Sequence, residues 1–226
     1  MKILSKHQCY ELMSDMKMMD HIVAHCIMVS RVSLLITDHL KKQGEFLNRN
    51  LVQASALLHD ITKTKSLKTG ENHAVTGEKL LCGKGHTEVG YIIGKHICLD
   101  KYTDSGHPSE AEIVNYSDKR VLHDKVVPLE VRIAYIMERY GKTPEFCRRI
   151  QKFGEKIKFL EIKLFNRLNF SPEQLGSLLN ASDFADDVSD YAIISETFAY
   201  KPEQNNNPEG LQILSASCSG NNKSQC

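Results

Sequence analysis

Apolar residues recur at helical spacing along most of this chain, and this periodicity constrains the fold more than any other feature of the sequence. From Gln8 to about Leu179, apolar positions return every three or four residues, for example at Ile22, Cys26 and Val29. Alternating runs of Val, Ile, Thr and Tyr are few, and no Asn-Gly hairpin turn is present. The pattern therefore predicts an all-α fold, a compact helical bundle.

The predicted helices divide into a core and a C-terminal extension. Residues 1–142 are assigned to the helical core, and residues 143–200 to a helical extension that begins at Pro144, because proline is typical of the first position of a helix. Residues 201–226 are rich in Asn, Ser, Gly and Pro and contain too little apolar surface to offset the entropy of ordering. We therefore predict a disordered tail over 201–226.

Charge, apolar runs and cysteine content indicate where the protein works and which partners it lacks. The 29 basic and 28 acidic side chains give a formal net charge of +1, so the excess of Lys and Arg expected of a general nucleic-acid coat protein is absent. We identify no signal peptide and no apolar run of the roughly 20 residues that a membrane span needs. The seven cysteines form no Cys-x-x-Cys pair, which favours free thiols. We expect a cytoplasmic protein with no membrane partner and no strong nucleic-acid binding, and the oligomeric state stays open.

The most informative motif is a His-Asp pair at the end of a predicted apolar helix, in the segment LLHDITK at positions 57–63. Adjacent helical residues point about 100° apart, so His59 and Asp60 can approach a metal from two sides, and the carboxylate can bridge two ions. A single His-Asp pair is a weak signal, since a second pair, His123-Asp124, occurs in the same chain. Taken alone, the pair favours a capped helix end with an ordinary surface histidine.

Other metal-capable side chains lie on or near further apolar helical segments. An unpaired imidazole or carboxylate would be costly to bury there, so their joint occurrence favours convergence on cations. These candidates are His25, His73, His96 and Asp118. His86 is a weaker candidate because it stands beside two glycines in a predicted turn. The remaining histidines are assigned to surface or capping positions: His7, His21, His39, His107 and His123.

In these motifs the chain resembles the HD-domain metal-dependent phosphohydrolases. That family carries a His on one helix, a His-Asp pair at the end of a later helix and an Asp on a further helix, and a subset adds His residues that hold a second metal. The resemblance covers roughly Ile22 to Tyr140. The matching positions are His25, His59, Asp60 and Asp118 for the core pattern, and His73 and His96 for the two-metal subset.

The chain departs from the family pattern at two positions. Thr62 stands where the common form of the motif has glycine. Ile97 stands where members with a His-His pair have a second histidine, so the ligand count of a second ion differs from theirs.

The resemblance also implies a role for each matching residue. In the family, the residue corresponding to Asp60 bridges two metals, and the catalytic residues assigned here are Asp60, His59 and Lys63. Lys63 follows the pair by one turn, so we assign its ammonium to the phosphate oxygens of a substrate. Lys119 and Arg120 are weaker candidates for the same contact, and the favoured interpretation of both is a solvated helix face. The implied metal ligands are His25, His59 and Asp118 for one ion, and His73 and His96 for the other, with Asp60 shared.

Imidazole and carboxylate ligands suit one or two divalent ions of Fe, Mn, Co, Ni or Zn, whereas Mg fits only a carboxylate-dominated single site. The resemblance implies hydrolysis of a phosphate ester by metal-activated hydroxide, in a small phosphorylated substrate such as a nucleotide or dinucleotide. Two alternatives stay open. One is a di-iron oxygenase on the same fold, and the other is a non-catalytic metal-binding regulatory module.

Overall fold

The computed structural model describes residues 3–102 and 106–199. Within these ranges the chain is predominantly helical, with one short antiparallel hairpin that pairs Val121 with Val126. The predicted all-α bundle is therefore confirmed. The helices are α1 (Lys6–Asp15), α2 (Asp20–Lys42), α3 (Arg49–Leu58), α4 (Lys63–Thr69), α5 (His73–Gly83), α6 (Thr87–Gly94), α7 (Glu110–Lys119), α8 (Leu129–Tyr140), α9 (Pro144–Phe165) and α10 (Ala181–Ala199), with strands β1 (Val121–Leu122) and β2 (Lys125–Val126) and a 3₁₀ turn at Pro172–Gln174.

The central helix of the bundle is α2, which packs against α3, α7 and α10. Its apolar stripe includes Val29, Val32 and Ile36, none of which is exposed to solvent. By length and composition alone α2 could span a membrane, but 61% of its most apolar 18-residue window is buried inside the fold. We therefore assign α2 as a core helix.

A tight helical hairpin is formed by α5 and α6. A Cβ atom at Gly90 would lie 2.8 Å from Cys82 Sγ and 3.1 Å from the backbone oxygen of Glu78, so a larger residue would force the Cys82 side chain to move and the two helices to shift apart. Gly85 adopts a φ of +85° in the turn between the helices. Because α6 folds back along α5, the start of α5 and the segment after α6 meet at one end of the hairpin.

Polar contacts join α9 to α7 inside the protein. Lys163 Nζ donates to Glu112 Oε1 at 2.7 Å, and both side chains are buried. Arg120 Nη1 donates to Glu161 Oε2 at 3.1 Å, and it also contacts the hydroxyl of Tyr116. The helix that carries Asp118 is therefore positioned in part by the C-terminal half of the chain.

The last helix, α10, packs back on α1 and α2. Lys6 Nζ donates to Asp187 Oδ1 at 2.6 Å and to Asp190 Oδ2 at 2.8 Å, and Arg31 donates to Asp187 Oδ2 at 2.9 Å. The division into a core over 1–142 and an extension over 143–200 stays a prediction, and the predicted tail over 201–226 lies outside the described residues.

Candidate metal centre

Four imidazoles and two carboxylates from five chain segments converge in the interior of the bundle. They come from α2, the turn after α3, the first residue of α5, the segment after α6 and the last turn of α7. His73 is the most exposed member, with 22% of its side chain accessible. The other five are buried: His25, His59, Asp60, His96 and Asp118.

Local structure explains how His73 and His96 come together. Asn72 caps α5 by accepting hydrogen bonds from the backbone amides of Ala74 and Val75, which sets the helix to begin at His73. The hairpin of α5 and α6 then brings His96 to the same end, where its ring centroid lies 5.1 Å from that of His73. Asn115 Nδ2 donates to the backbone oxygen of His96 at 2.9 Å and so fixes the segment after α6.

Three of the imidazoles are held in one tautomer by the backbone. Each directs its Nδ1 atom at a carbonyl oxygen: His25 at His123 (2.8 Å), His59 at Ala56 (2.8 Å) and His96 at Ile93 (2.6 Å). Because a carbonyl oxygen can only accept, Nδ1 carries a proton in each ring, and Nε2 is the ring nitrogen that faces the cluster. A histidine that ligates a metal is commonly held in the same way.

The Nε2 atoms face carboxylate oxygens in two overlapping groups. In the first group, His25 Nε2 lies 3.1 Å from Asp118 Oδ1, and His59 Nε2 lies 3.5 Å from Asp60 Oδ2. In the second group, Asp60 Oδ1 lies 3.1 Å from His73 Nε2 and 3.6 Å from His96 Nε2. The two oxygens of Asp60 therefore face different groups, which is the arrangement that a bridging carboxylate needs.

The donor set fits divalent ions. His59 Nε2 and Asp60 Oδ1 are buried and have no hydrogen-bond partner among the described residues, although unpartnered buried polar atoms are costly. His73 Nε2 and His96 Nε2 approach to 3.1 Å, so unless a proton or a cation lies between them their lone pairs would repel. A cation shared by these atoms would satisfy all of them, and nitrogen and carboxylate ligands suit a transition metal.

Burial sets the ionisation of the cluster. It lowers the pKa of His59 to about 3, so this imidazole stays neutral and available as a ligand. Burial alone would raise the pKa values of Asp60 and Asp118, but neighbouring groups reverse the effect: His59 and then Lys63 at Asp60, and Lys119 and then His25 at Asp118. Lys63 Nζ lies 2.7 Å from Asp60 Oδ2, and Lys119 Nζ lies 2.6 Å from Asp118 Oδ2, which holds the pKa of each carboxyl well below its usual range.

The metal-free protein is expected to lose stability in two stages as the pH falls. The folded-state pKa of His59 lies below the ordinary value of 6.5, so the unfolded chain binds more protons below that pH. The contribution of His59 is therefore complete above about pH 6.5 and is lost towards pH 3, by at most about 1.4 kcal/mol per pH unit. The depressed pKa values of Asp60 and Asp118 add a second loss below about pH 4.

Urea titrations of chelated protein between pH 8 and pH 3.5 measure this dependence. His59→Gln is expected to reduce the slope between pH 6.5 and 4.5, because it removes the buried neutral imidazole. A free energy of unfolding that stays constant over that interval in the original protein would contradict the assignment of His59 as a buried neutral base.

Among the described residues, three cations lie beside the cluster: Lys63, Lys119 and Arg132. The interpretation of Lys119 and Arg120 as a solvated helix face was wrong. Lys119 and Arg120 are only 5% and 3% exposed, so they do not form a solvated helix face. Lys119 points at the cluster, whereas Arg120 points away from it towards Glu161. Arg132 also lies beside the cluster, with its Nη2 atom 3.7 Å from Asp118 Oδ1.

Ile97 and the remaining histidines contribute no ligand to the cluster. Ile97 has no ligand atom and is 39% exposed. Among the described residues, the second group consists of Asp60, His73 and His96. A group with three protein ligands leaves coordination positions open, as catalytic metal sites require. The surface histidines have partners elsewhere: His7 contacts Glu11, His39 contacts Asn169 and His107 contacts Glu45.

Thr62 supports the second group from behind. Its Oγ1 donates to the backbone oxygen of His73 at 2.8 Å and lies 2.8 Å from Thr76 Oγ1. The hydroxyl is therefore used to hold the residue that begins α5, and a glycine at this position could not make that contact.

Thr62→Ala is expected to weaken binding of one of two metal ions by about tenfold, since loss of a contact that orients a ligand has effects of about this size. Metal titration followed by native mass spectrometry measures each step separately. Thr69→Ala is the matched control, because Thr69 lies at the exposed end of α4 and its hydroxyl contacts Glu71. Equal metal affinities in the two variants would contradict a positioning role for Thr62.

Comparison with known proteins agrees with this geometry. The family model described as HD domain matches residues 22–142, an interval that contains all six candidate ligands. An uncharacterized protein of Methanocaldococcus jannaschii is 26% identical over 154 residues, in an alignment that covers 62% of this chain and 90% of the relative. No solved structure gives a significant match.

Proposed function

Because the chain belongs to the HD domain family, we propose that it is a metal-dependent phosphohydrolase that cleaves a small phosphate ester. Members of this family are in general metal-dependent phosphohydrolases. The observation that carries the proposal is the convergence of four imidazoles and two carboxylates whose donor atoms lie within 4.8 Å of one another in overlapping groups.

We assign the ligands by proximity. His25, His59 and Asp118 would hold one divalent ion, His73 and His96 would hold a second, and Asp60 would contact both. When bound, such ions supply Lewis-acid activation of water and neutralise charge on phosphoryl oxygens. Fe, Mn, Co, Ni and Zn are the first metals to test, because nitrogen ligands outnumber carboxylates.

The protein's own side chains have three tasks in this proposal. Backbone carbonyls keep the proton on Nδ1 of His25, His59 and His96, so that their Nε2 lone pairs stay available. Lys63 keeps Asp60 ionised and has two further N–H donors for a substrate oxyanion, since its side chain is 34% exposed. His73 is the most exposed ligand and marks the side from which a substrate enters.

The three cations favour an anionic substrate over dioxygen. Lys63 lies within 3.7 Å of Asp60, and Lys119 and Arg132 lie within 3.7 Å of Asp118. Positive charge at these positions attracts a phosphate group. We propose a nucleotide or dinucleotide as the substrate class. The described cysteines are free, which supports a cytoplasmic location. Neither a membrane nor a nucleic acid is proposed as a partner.

A phosphate-release screen tests the proposed function. Purified protein is stripped with chelator, reloaded with each metal in turn and incubated with nucleoside mono-, di- and triphosphates and with dinucleoside polyphosphates. We expect metal-dependent release from at least one class, lost on chelation and restored by the metal. Metal-loaded protein that hydrolyses none of these compounds, or that consumes oxygen in its iron form instead, would contradict the proposal.

A further inference from the structure

The three cations at the cluster differ in how fully their hydrogen-bond donors are used. Lys119 Nζ donates to Asp118 Oδ2 at 2.6 Å and to the backbone oxygen of His96 at 2.9 Å. Lys63 donates to Asp60 Oδ2 at 2.7 Å. Among the described residues, the Arg132 side chain makes no hydrogen bond.

Arg132 is nevertheless largely buried. Its side chain is 14% exposed, and its Nε atom is inaccessible to solvent and has no hydrogen-bond partner. A buried donor without an acceptor costs free energy, and a guanidinium has five donors to satisfy. The folded protein tolerates this cost because the charge of Asp118, whose Oδ1 lies 3.7 Å from Nη2, offsets part of it.

The position of the guanidinium is fixed from α8. Its central carbon lies 5.8 Å from the ring centroid of Tyr135, one turn further along the helix, in a cation–π contact. The Tyr135 ring in turn makes an edge contact with the ring of His123, whose backbone oxygen orients His25. Arg132 is therefore held beside the group that contains His25 and Asp118 while its donors stay free.

We propose that Arg132 binds the phosphoryl oxyanion of the substrate. The planar fork of a guanidinium matches two oxygens of a phosphate, and a phosphoryl group at the cluster would supply the acceptors that the folded protein lacks at this position. Arg132 is thus a substrate-binding residue that selects for a phosphoryl group. This inference rests on the proposed function, because it assumes that a phosphate ester occupies the same cluster.

Inorganic phosphate is the probe that tests it. Calorimetric titration of manganese-loaded protein gives the dissociation constant for phosphate, and elemental analysis gives the number of ions bound. Arg132→Gln is expected to weaken phosphate binding by about tenfold to a hundredfold, since a hydrogen bond to a charged group is lost. Arg132→Lys is expected to bind phosphate more tightly than Arg132→Gln but more weakly than the original protein, because an ammonium keeps the charge but not the planar fork of donors. Both variants are expected to keep the metal content and the melting temperature.

Arg149→Gln is the control and is expected to keep the phosphate affinity, because Arg149 pairs with Glu145 at 3.1 Å on the exposed face of α9. Phosphate affinity within twofold of the original protein in Arg132→Gln would overturn the inference, and so would loss of metal in that variant. If Arg132→Gln does not fold, unchanged phosphate affinity in Arg132→Lys overturns it. Phosphate binding that depends on Arg132 in a protein that hydrolyses no ester supports the inference and contradicts the proposed function alone.

Discussion

Asp60→Ala is expected to abolish metal binding and to reduce phosphate release by about three orders of magnitude or more. Asp60 is the carboxylate whose two oxygens face both groups of the cluster, with Oδ2 3.5 Å from His59 Nε2 and Oδ1 3.1 Å from His73 Nε2. Asp118 cannot substitute for it, because Asp118 faces His25 and His59. Alanine would also remove the carboxylate that the Lys63 ammonium contacts at 2.7 Å.

Elemental analysis and the phosphate-release assay measure the two losses together. His123→Asn is the control, since the His123 side chain is exposed and only its backbone oxygen orients His25. Asparagine is chosen because His123 has a φ of +56°, which asparagine tolerates better than alanine. Full metal content in Asp60→Ala, or equal behaviour of the two variants, would refute the assignment of Asp60.

The second large effect concerns stability. Lys163→Met is expected to lower the free energy of unfolding by about 3–5 kcal/mol, because it leaves the buried carboxylate of Glu112 without its cation. The Lys163 side chain is 3% exposed and the Glu112 side chain is 10% exposed, and Lys163 Nζ lies 2.7 Å from Glu112 Oε1. For a protein of this size the melting temperature is expected to fall by about 2–4 °C for each kcal/mol.

Thermal and urea unfolding of the variants measure this effect. Lys158→Met is the matched control on the same helix, because Lys158 pairs with Glu130 at 3.4 Å on the surface, where both side chains are more than half exposed. A pair of that kind contributes about 1 kcal/mol or less. Stability changes of equal size in the two variants would contradict the account of the buried pair.

The helical class and the candidate ligands could be predicted from the sequence because both depend on local patterns. Apolar spacing identifies a helix without knowledge of its neighbours. His59 and Asp60 are adjacent in the sequence, and His73 and His96 each lie on or beside an apolar segment with helical spacing. The matching order of these residues in a known family then indicated their convergence.

The partners of charged side chains could not be predicted, because they depend on distant segments. Lys119 has the same local sequence whether its helix face is solvated or buried, and burial follows only from the packing of α7 against other helices. Glu112 and Lys163 are 51 positions apart. The β1–β2 hairpin was missed because two-residue strands are too short to show an alternating pattern.

The most direct test of the central claim is anomalous diffraction from crystals grown with manganese or iron. We predict two peaks per chain within about 2.3 Å of donor atoms, one beside His25, His59 and Asp118 and one beside His73 and His96, with Asp60 touching both. Metal-saturated crystals with no peak among these side chains would contradict this prediction.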